Sequence, residues 1–108
     1  MEKVWVLTAL FTGDNKDSLL EVIGVYKRLD EAETVMKFHH EDTKEEWLNE
    51  GIKGEEILDL RLKWRYILKL RNSYKQVELE IHEENIEDDW IFYCICRRKE
   101  TSSTIKKH

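Results

Sequence analysis

Five basic residues alternate with apolar ones between Leu58 and Arg71 and form the best candidate for a phosphate-binding surface. This set is called the basic stripe and consists of Arg61, Lys63, Arg65, Lys69 and Arg71. Binding to a nucleic acid needs several cations that are not already neutralised, because much of the affinity comes from counterion release. An exposed aromatic side chain on the same face would stack on bases. In an alternating strand, however, the residue that shares this face with the cations is Ile67, which is not aromatic. We therefore favour a solvated, salt-bridged strand face over a nucleic-acid site.

A run of carboxylates follows, called the acidic segment, and it is the second candidate. It consists of Glu83, Glu84, Glu87, Asp88 and Asp89. A calcium loop places oxygen ligands at alternating positions around a sharp glycine turn, and no glycine occurs in this segment. The composition is typical of a solubilising loop, and the alternative is a docking surface for a basic protein or a mimic of phosphates.

Residues that bind metals occur without the spacing that a metal site needs. His39 and His40 precede Asp42 in a predicted helix, but a zinc site needs at least three convergent ligands. We interpret both histidines as residues at the edge of the core or at an interface. Asp14 and Asp17 lie in a cluster of turn-forming residues and indicate a turn.

Cys94 and Cys96 are the only cysteines. Two positions apart in a strand, their side chains point the same way and do not suit a disulfide, so we interpret them as reduced core residues. No serine or cysteine stands in a recognisable nucleophile motif, and the four glycines are too scattered for a phosphate loop. The sequence predicts no catalytic residue, no metal and no cofactor.

The chain has 108 residues, of which 41% are hydrophobic and 38% charged, and this length predicts one domain. Four Trp and four Tyr argue against disorder. The formal net charge of -5 favours solubility over general attraction to polyanions. The apolar run near the start is too short for a signal peptide or a membrane span, so we expect a cytoplasmic protein without membrane contact.

Hydrophobic periodicity predicts a hairpin followed by a helix. Val4 to Thr12 and Leu19 to Arg28 have the composition of strands, and turn-forming residues 13–18 join them. The helix is predicted to start with Asp30 as its cap, to run to about Asn49 and to stop at Gly51. Its apolar face is predicted to carry Ala32, Val35, Met36, His39, Thr43 and Trp47.

The alternation from Leu58 to Arg71 predicts a single long strand that is bent or bulged, because period two is incompatible with a helix. Residues 76–82 alternate in the opposite parity and predict its hairpin partner. A turn at residues 73–74 places Lys69 opposite Glu78, whereas a turn at residues 72–73 places Arg65 opposite Glu80. In both registers cations meet carboxylates, which partly neutralises the basic stripe.

We therefore predict an α+β fold, an antiparallel sheet of about five strands in the order ββαβββ with one main helix packed on one face. The domain spans residues 1–98, and residues 99–108 form a polar tail. Val4 to Thr12 and Trp90 to Arg97 are the expected interior strands, because both of their faces are apolar. The second sheet face then needs cover, and a homodimer is the simplest source of it.

VWVLTALF and EVIGVYKRLDEAETVM resemble a group of small uncharacterised bacterial and phage proteins. These proteins open with a K-V-Y-V-L-like strand, continue with an I-G-V-Y strand and start a helix at E-x-A. The resemblance covers residues 3–36, with residues 77–90 as a later strand and acidic turn. It carries over no activity and no site residue. The composition, rich in Lys, Glu and Ile and without proline, also resembles that of a small accessory protein of a mobile element.

Two functional hypotheses follow. The first is a non-enzymatic interaction protein, an inhibitor or regulator from a phage or mobile element that binds a basic protein partner through the helix and the acidic segment. The alternative is a nucleic-acid-binding protein that uses the basic stripe with basic residues of the tail and of the two positions before it. These are Arg97, Arg98, Lys99, Lys106 and Lys107.

Overall fold

The computed structural model describes residues 2–86, which form one antiparallel sheet with a long helix on one face. The elements are β1 (Glu2–Thr12), β2 (Ser18–Tyr26), α1 (Leu29–Asn49), a 3-10 turn (Gly54–Glu56), β3 (Ile57–Arg61), β4 (Arg65–Leu70) and β5 (Gln76–Ile86). The strand order across the sheet is β2-β1-β5-β4-β3. The predicted α+β class and ββαβββ order are confirmed. The predicted strand Trp90 to Arg97, the tail 99–108 and residues Glu87, Asp88 and Asp89 lie outside the described residues.

The prediction of one long strand over residues 58–71 was wrong, because β3 and β4 are the two arms of a hairpin. Its turn lies at Lys63 and Trp64, where the Leu62 N–H donates to the Arg65 carbonyl at 2.9 Å. None of the four residues at this turn is a usual turn former. Alternation alone therefore could not separate one strand from two.

The first and last strands of the described residues, β1 and β5, lie side by side in the sheet interior. They pair antiparallel from Glu2 opposite Ile86 to Thr12 opposite Gln76, so the prediction that the first strand is interior is confirmed. β4 and β5 pair in the second of the two predicted registers, with Arg65 opposite Glu80. Asn72, at a φ of 59°, supplies the left-handed residue that this tight turn needs.

The helix begins at Leu29, with Arg28 as its N-cap and no side-chain cap bond, so the predicted cap at Asp30 was wrong. The Asp30 carboxylate lies inside the first turn, where it accepts hydrogen bonds from Arg28 and from the Glu31 N–H. The helix ends as predicted, because Gly51 adopts a φ of +99° that favours glycine. The Ile52 N–H then bonds to the Trp47 carbonyl at 3.1 Å.

The core lies between α1 and the sheet. The buried helix residues are Ala32, Met36, His40 and Trp47. The predicted apolar face contained His39, but the buried histidine is its neighbour His40. Alternate strand residues meet them, and these are Leu7, Ala9, Ile57, Leu68, Val77, Leu79 and Ile81. Burial of these apolar side chains is the main force that holds α1 on the sheet.

Candidate partner-binding surface

The acidic segment is not a single loop. Glu83 and Glu84 lie within β5, and Glu83 pairs with Lys3 on the neighbouring strand at 3.0 Å. Its other three residues lie beyond the described part of the chain. Within residues 2–86, α1 carries another concentration of exposed acidic residues.

The helix and its C-cap carry eight acidic residues and two lysines. Five of the acids are concentrated over the second half, and they are called the acidic helix surface: Glu41, Asp42, Glu45, Glu46 and Glu50. All five are exposed. Glu41 lies 3.4 Å from Arg61, and Glu50 lies 3.6 Å from Lys75. Asp42, Glu45 and Glu46 make no side-chain hydrogen bond or ion pair within residues 2–86.

This charge arrangement opposes the stability of the helix. Glu41 and Glu45, Asp42 and Glu46, and Glu46 and Glu50 are like charges four residues apart, and each such pair destabilises a helix by about 0.2–0.5 kcal/mol. The last turn contains no basic residue, although the helix dipole favours cations there. Folding of α1 therefore does not explain why the unpaired carboxylates Asp42, Glu45 and Glu46 are present.

An exposed aromatic side chain lies on the same outer surface. Phe38 is 63% exposed and is followed by Glu41, Asp42 and Glu45 at the third, fourth and seventh positions along the helix. Residues at these spacings lie on one side of a helix. Single exposed hydrophobic residues are common on protein surfaces. An aromatic side chain surrounded by polar groups is nevertheless the usual arrangement of an interface anchor with its rim.

A groove of about 470 Å³ borders the acidic helix surface where α1 meets the ends of β1 and β5. Its apolar floor contains Phe11, Trp47 and Val77, and its wall includes Glu46 and Glu50. The chain already places a cation here, because the ammonium group of Lys75 lies 5.2 Å from the centre of the Trp47 ring. The same ammonium group reaches Glu50. The groove thus combines an aromatic face with carboxylates, which is the chemistry that binds Lys and Arg side chains.

The β3–β4 hairpin divides the basic stripe, so the expectation that its five cations share one face was wrong. Arg61 lies on the helix side of the sheet and contacts Asp59 at 3.2 Å. Arg65 lies on the other side and contacts Glu78 at 2.8 Å. Lys69 donates to the Ser73 carbonyl at 2.9 Å. The remaining two also have partners, the Glu55 carbonyl for Arg71 and the Trp64 ring for Lys63. The nucleic-acid alternative stays a prediction, and nothing in this distribution favours it.

A partly buried polar cluster connects α1 to β3, and no pattern in the sequence predicted it. His40 is 1% exposed, and its Nε2 lies 2.7 Å from a carboxylate oxygen of Asp59. Lys44 and Arg61 contact the same carboxylate at 3.1 and 3.2 Å. Burial raises the pKa of Asp59, but hydrogen bonds from Arg61, His40 and Lys44 outweigh burial and hold that pKa well below its usual range. The cluster joins α1 to β3 and so positions the helix on the sheet.

Metal binding finds no support within residues 2–86, where no three His, Cys, Asp or Glu side chains converge on one point. His39 and Asp42 do not join His40 in a ligand set, because His40 faces the core whereas Asp42 is exposed. No helix in the described part of the chain has the length and apolar character to cross a bilayer. The cysteine pair Cys94 and Cys96 lies outside the described residues.

Comparison of the chain with protein-family models, curated proteins and solved structures finds no match in any of the three. The resemblance to small bacterial and phage proteins therefore stays a prediction. The assignment of function depends on the surfaces themselves.

Proposed function

We propose that this protein is a non-enzymatic interaction protein that binds a basic surface of a protein partner through the acidic helix surface. Occupying a basic site on another protein is how a small inhibitor or regulator acts, and this is the role that we propose. One observation carries the proposal. Asp42, Glu45 and Glu46 are exposed and unpaired within residues 2–86, at the helix end where charge and dipole both disfavour them.

A basic partner would remove this repulsion. Lys and Arg residues on the partner would supply the cations that the last turns of α1 lack, and each would lie between carboxylates that otherwise repel one another. Charge complementarity of this kind mainly accelerates association and selects the partner. Phe38 would supply the apolar contact that the carboxylates cannot, because a buried aromatic anchor accounts for much of the binding energy in many interfaces.

Charge reversal on two matched sites tests the proposal. The first variant carries Asp42→Lys and Glu45→Lys, and the control carries Glu55→Lys and Glu56→Lys, which are exposed acids of the 3-10 turn. Both variants change the net charge by the same amount. We expect the first to lose the partner recovered by affinity capture and the control to retain it. Equal binding by all three proteins would contradict the proposal.

Helix stability provides a second readout. Lys at position 45 lies four residues after Glu41 and near the C-terminal end of the dipole, so Glu45→Lys should stabilise the fold by about 0.3–1 kcal/mol. A variant that is more stable and yet does not bind shows that lost binding is not caused by unfolding. The acidic segment is tested in parallel with Glu87→Lys, Asp88→Lys and Asp89→Lys, and retained binding would exclude it as a contact.

A further inference from the structure

In the sheet formed by residues 2–86, β3 is an edge strand, and its outer side pairs with no other strand of those residues. The Leu62 N–H donates to Arg65, and the Glu56 carbonyl accepts from Arg71, both across the β3–β4 hairpin. Since inward and outward bonding alternates along a strand, the backbone groups of Ile57, Asp59 and Arg61 point outward. A row of such groups is a template on which another strand can pair.

The two edges of the sheet differ in how they are protected. In β2, Ile23 is an extra residue, because Leu7 is opposite Gly24 while Thr8 is opposite Val22. Such a bulge bends an edge and prevents further pairing. β3 pairs regularly along its whole length. Leu58 and Leu60 of β3, with Leu62 directly after it, alternate with the core residue Ile57 and so lie on the sheet face away from α1. Leu58 is half-buried, Leu60 is 51% exposed and Leu62 is 58% exposed.

We propose that β3 pairs antiparallel with β3 of a second copy of this chain, about a two-fold axis at Leu60. The two five-stranded sheets then become one continuous sheet of ten strands. In this register Leu60 is opposite Leu60 of the second copy, and Leu58 is opposite its Leu62. The leucine side chains that are exposed in one copy cover each other, which is the self-complementarity that a two-fold interface requires.

The charged side chains favour a two-fold axis at Leu60 over an axis at the neighbouring residue Asp59. An axis at Leu60 places Asp59 opposite Arg61 of the second copy, and the symmetry repeats this pair. An axis at Asp59 would instead place two carboxylates opposite each other, which is destabilising. Both axes keep the outward backbone groups paired, so side chains decide between them.

Within residues 2–86, α1 does not lie over this edge. α1 packs chiefly over β1, β2, β4 and β5, on the sheet face opposite the three leucines. The acidic helix surface, which lies on the outer side of α1, stays exposed in the dimer. The dimer would therefore present two copies of that surface, and the proposal does not depend on the proposed function.

Sedimentation equilibrium with matched variants tests the pairing. We expect the wild-type chain to be dimeric at about 100 μM, since small interfaces form weak complexes. Leu60→Glu places two carboxylates at the axis and should weaken dimerisation at least tenfold. Tyr74→Glu changes a residue that is 54% exposed in the β4–β5 turn and should leave dimerisation unchanged. A wild-type chain that sediments as a monomer at this concentration would overturn the proposal.

Disulfide trapping tests the register in a background with Cys94→Ser and Cys96→Ser. Residues directly opposite in a pair without backbone bonds have Cα atoms about 4.5 Å apart, a distance that a disulfide spans. Leu60→Cys should therefore give a covalent dimer on mild oxidation. Leu58→Cys and Leu62→Cys should each give none alone but should crosslink when mixed. A dimer that Leu60→Glu does not weaken and that Leu60→Cys does not trap forms through another surface, and it would refute the β3 pairing.

Discussion

Replacing Asp59 with alanine should destabilise the fold more than replacing an exposed charged residue does. The Asp59 carboxylate is 19% exposed and bonds to His40, Lys44 and Arg61. Its removal leaves the Nε2 of His40 without a partner at a position that is 1% exposed. A buried donor or acceptor has given up its hydration on folding. If its partner is removed, no hydrogen bond compensates for that loss.

The magnitude follows from these three contacts. A hydrogen bond to a charged group contributes about 1.5–3 kcal/mol. The two other pairs involve side chains that are 36% and 35% exposed, and such pairs contribute about 0.2–1 kcal/mol each. The sum is about 2–5 kcal/mol, and the partial exposure of Lys44 and Arg61 places the expected loss in the lower half of that range.

Urea denaturation at neutral pH measures this loss. With a slope of about 1–3 kcal/mol per molar urea for small proteins, the midpoint should fall by roughly 0.7–3.5 M. Asp42→Ala is the control, because Asp42 lies on the same helix as His40 and has no side-chain partner within residues 2–86. A midpoint for Asp59→Ala equal to that of Asp42→Ala would refute the reasoning.

Acid provides an independent check of the same contact. Because the pKa of Asp59 is lower in the folded chain than its ordinary value, the carboxylate stabilises the fold fully above the unfolded pKa of about 4. This contribution decreases as the pH falls toward the folded pKa. We therefore expect the stability difference between wild type and Asp59→Ala to be largest at neutral pH and to narrow below about pH 4. A difference that stays constant into acid would assign the loss to packing instead of charge.

Substitutions at three further positions, two of them with controls, have expected outcomes in the same denaturation assay. Leu68 is 0% exposed, so Leu68→Ala should cost about 2–5 kcal/mol, and a loss below 1 kcal/mol would contradict its placement in the core. Gly51→Ala should cost about 1 kcal/mol or more because of the φ of +99°, whereas Gly54→Ala, which meets only ordinary contacts, should be near neutral. A Cβ at Gly24 would lie 2.5 Å from the Tyr26 hydroxyl oxygen, so Gly24→Ala should destabilise the wild-type chain and should be tolerated in a Tyr26→Ala background.

Local patterns predicted much of this fold. The β1–β2 hairpin and the end of α1 at Gly51 follow from residues that are close together in the sequence. The β4–β5 register was narrowed to two possibilities, because cations on one strand had to meet carboxylates on the other. Arg65 opposite Glu80 is one of these.

The wrong predictions concern features that depend on residues far apart in the sequence. His40, not His39, faces the core, since its carboxylate partner Asp59 is supplied by β3. The turn at Lys63 and Trp64 forms without turn-favouring residues. A contact with β5 stabilises it, because the Ile81 N–H donates a hydrogen bond to the Trp64 carbonyl. Consequently the basic stripe, which looks continuous in sequence, is divided between two faces.

The pairing of β1 with β5 has a consequence for how the chain folds. Sixty-three residues, 13–75, separate the end of β1 from the start of β5. A contact between residues so far apart in the sequence closes a large loop, which costs conformational entropy before the contact can stabilise the fold. Such contacts therefore slow folding. At a synthesis rate of 5–20 residues per second, β1 waits roughly 3–13 s on the ribosome before β5 is made. During that time only the β2 side of β1 can be paired, and the apolar β1 strand, rich in Val and Leu, stays available to chaperones or to other nascent chains.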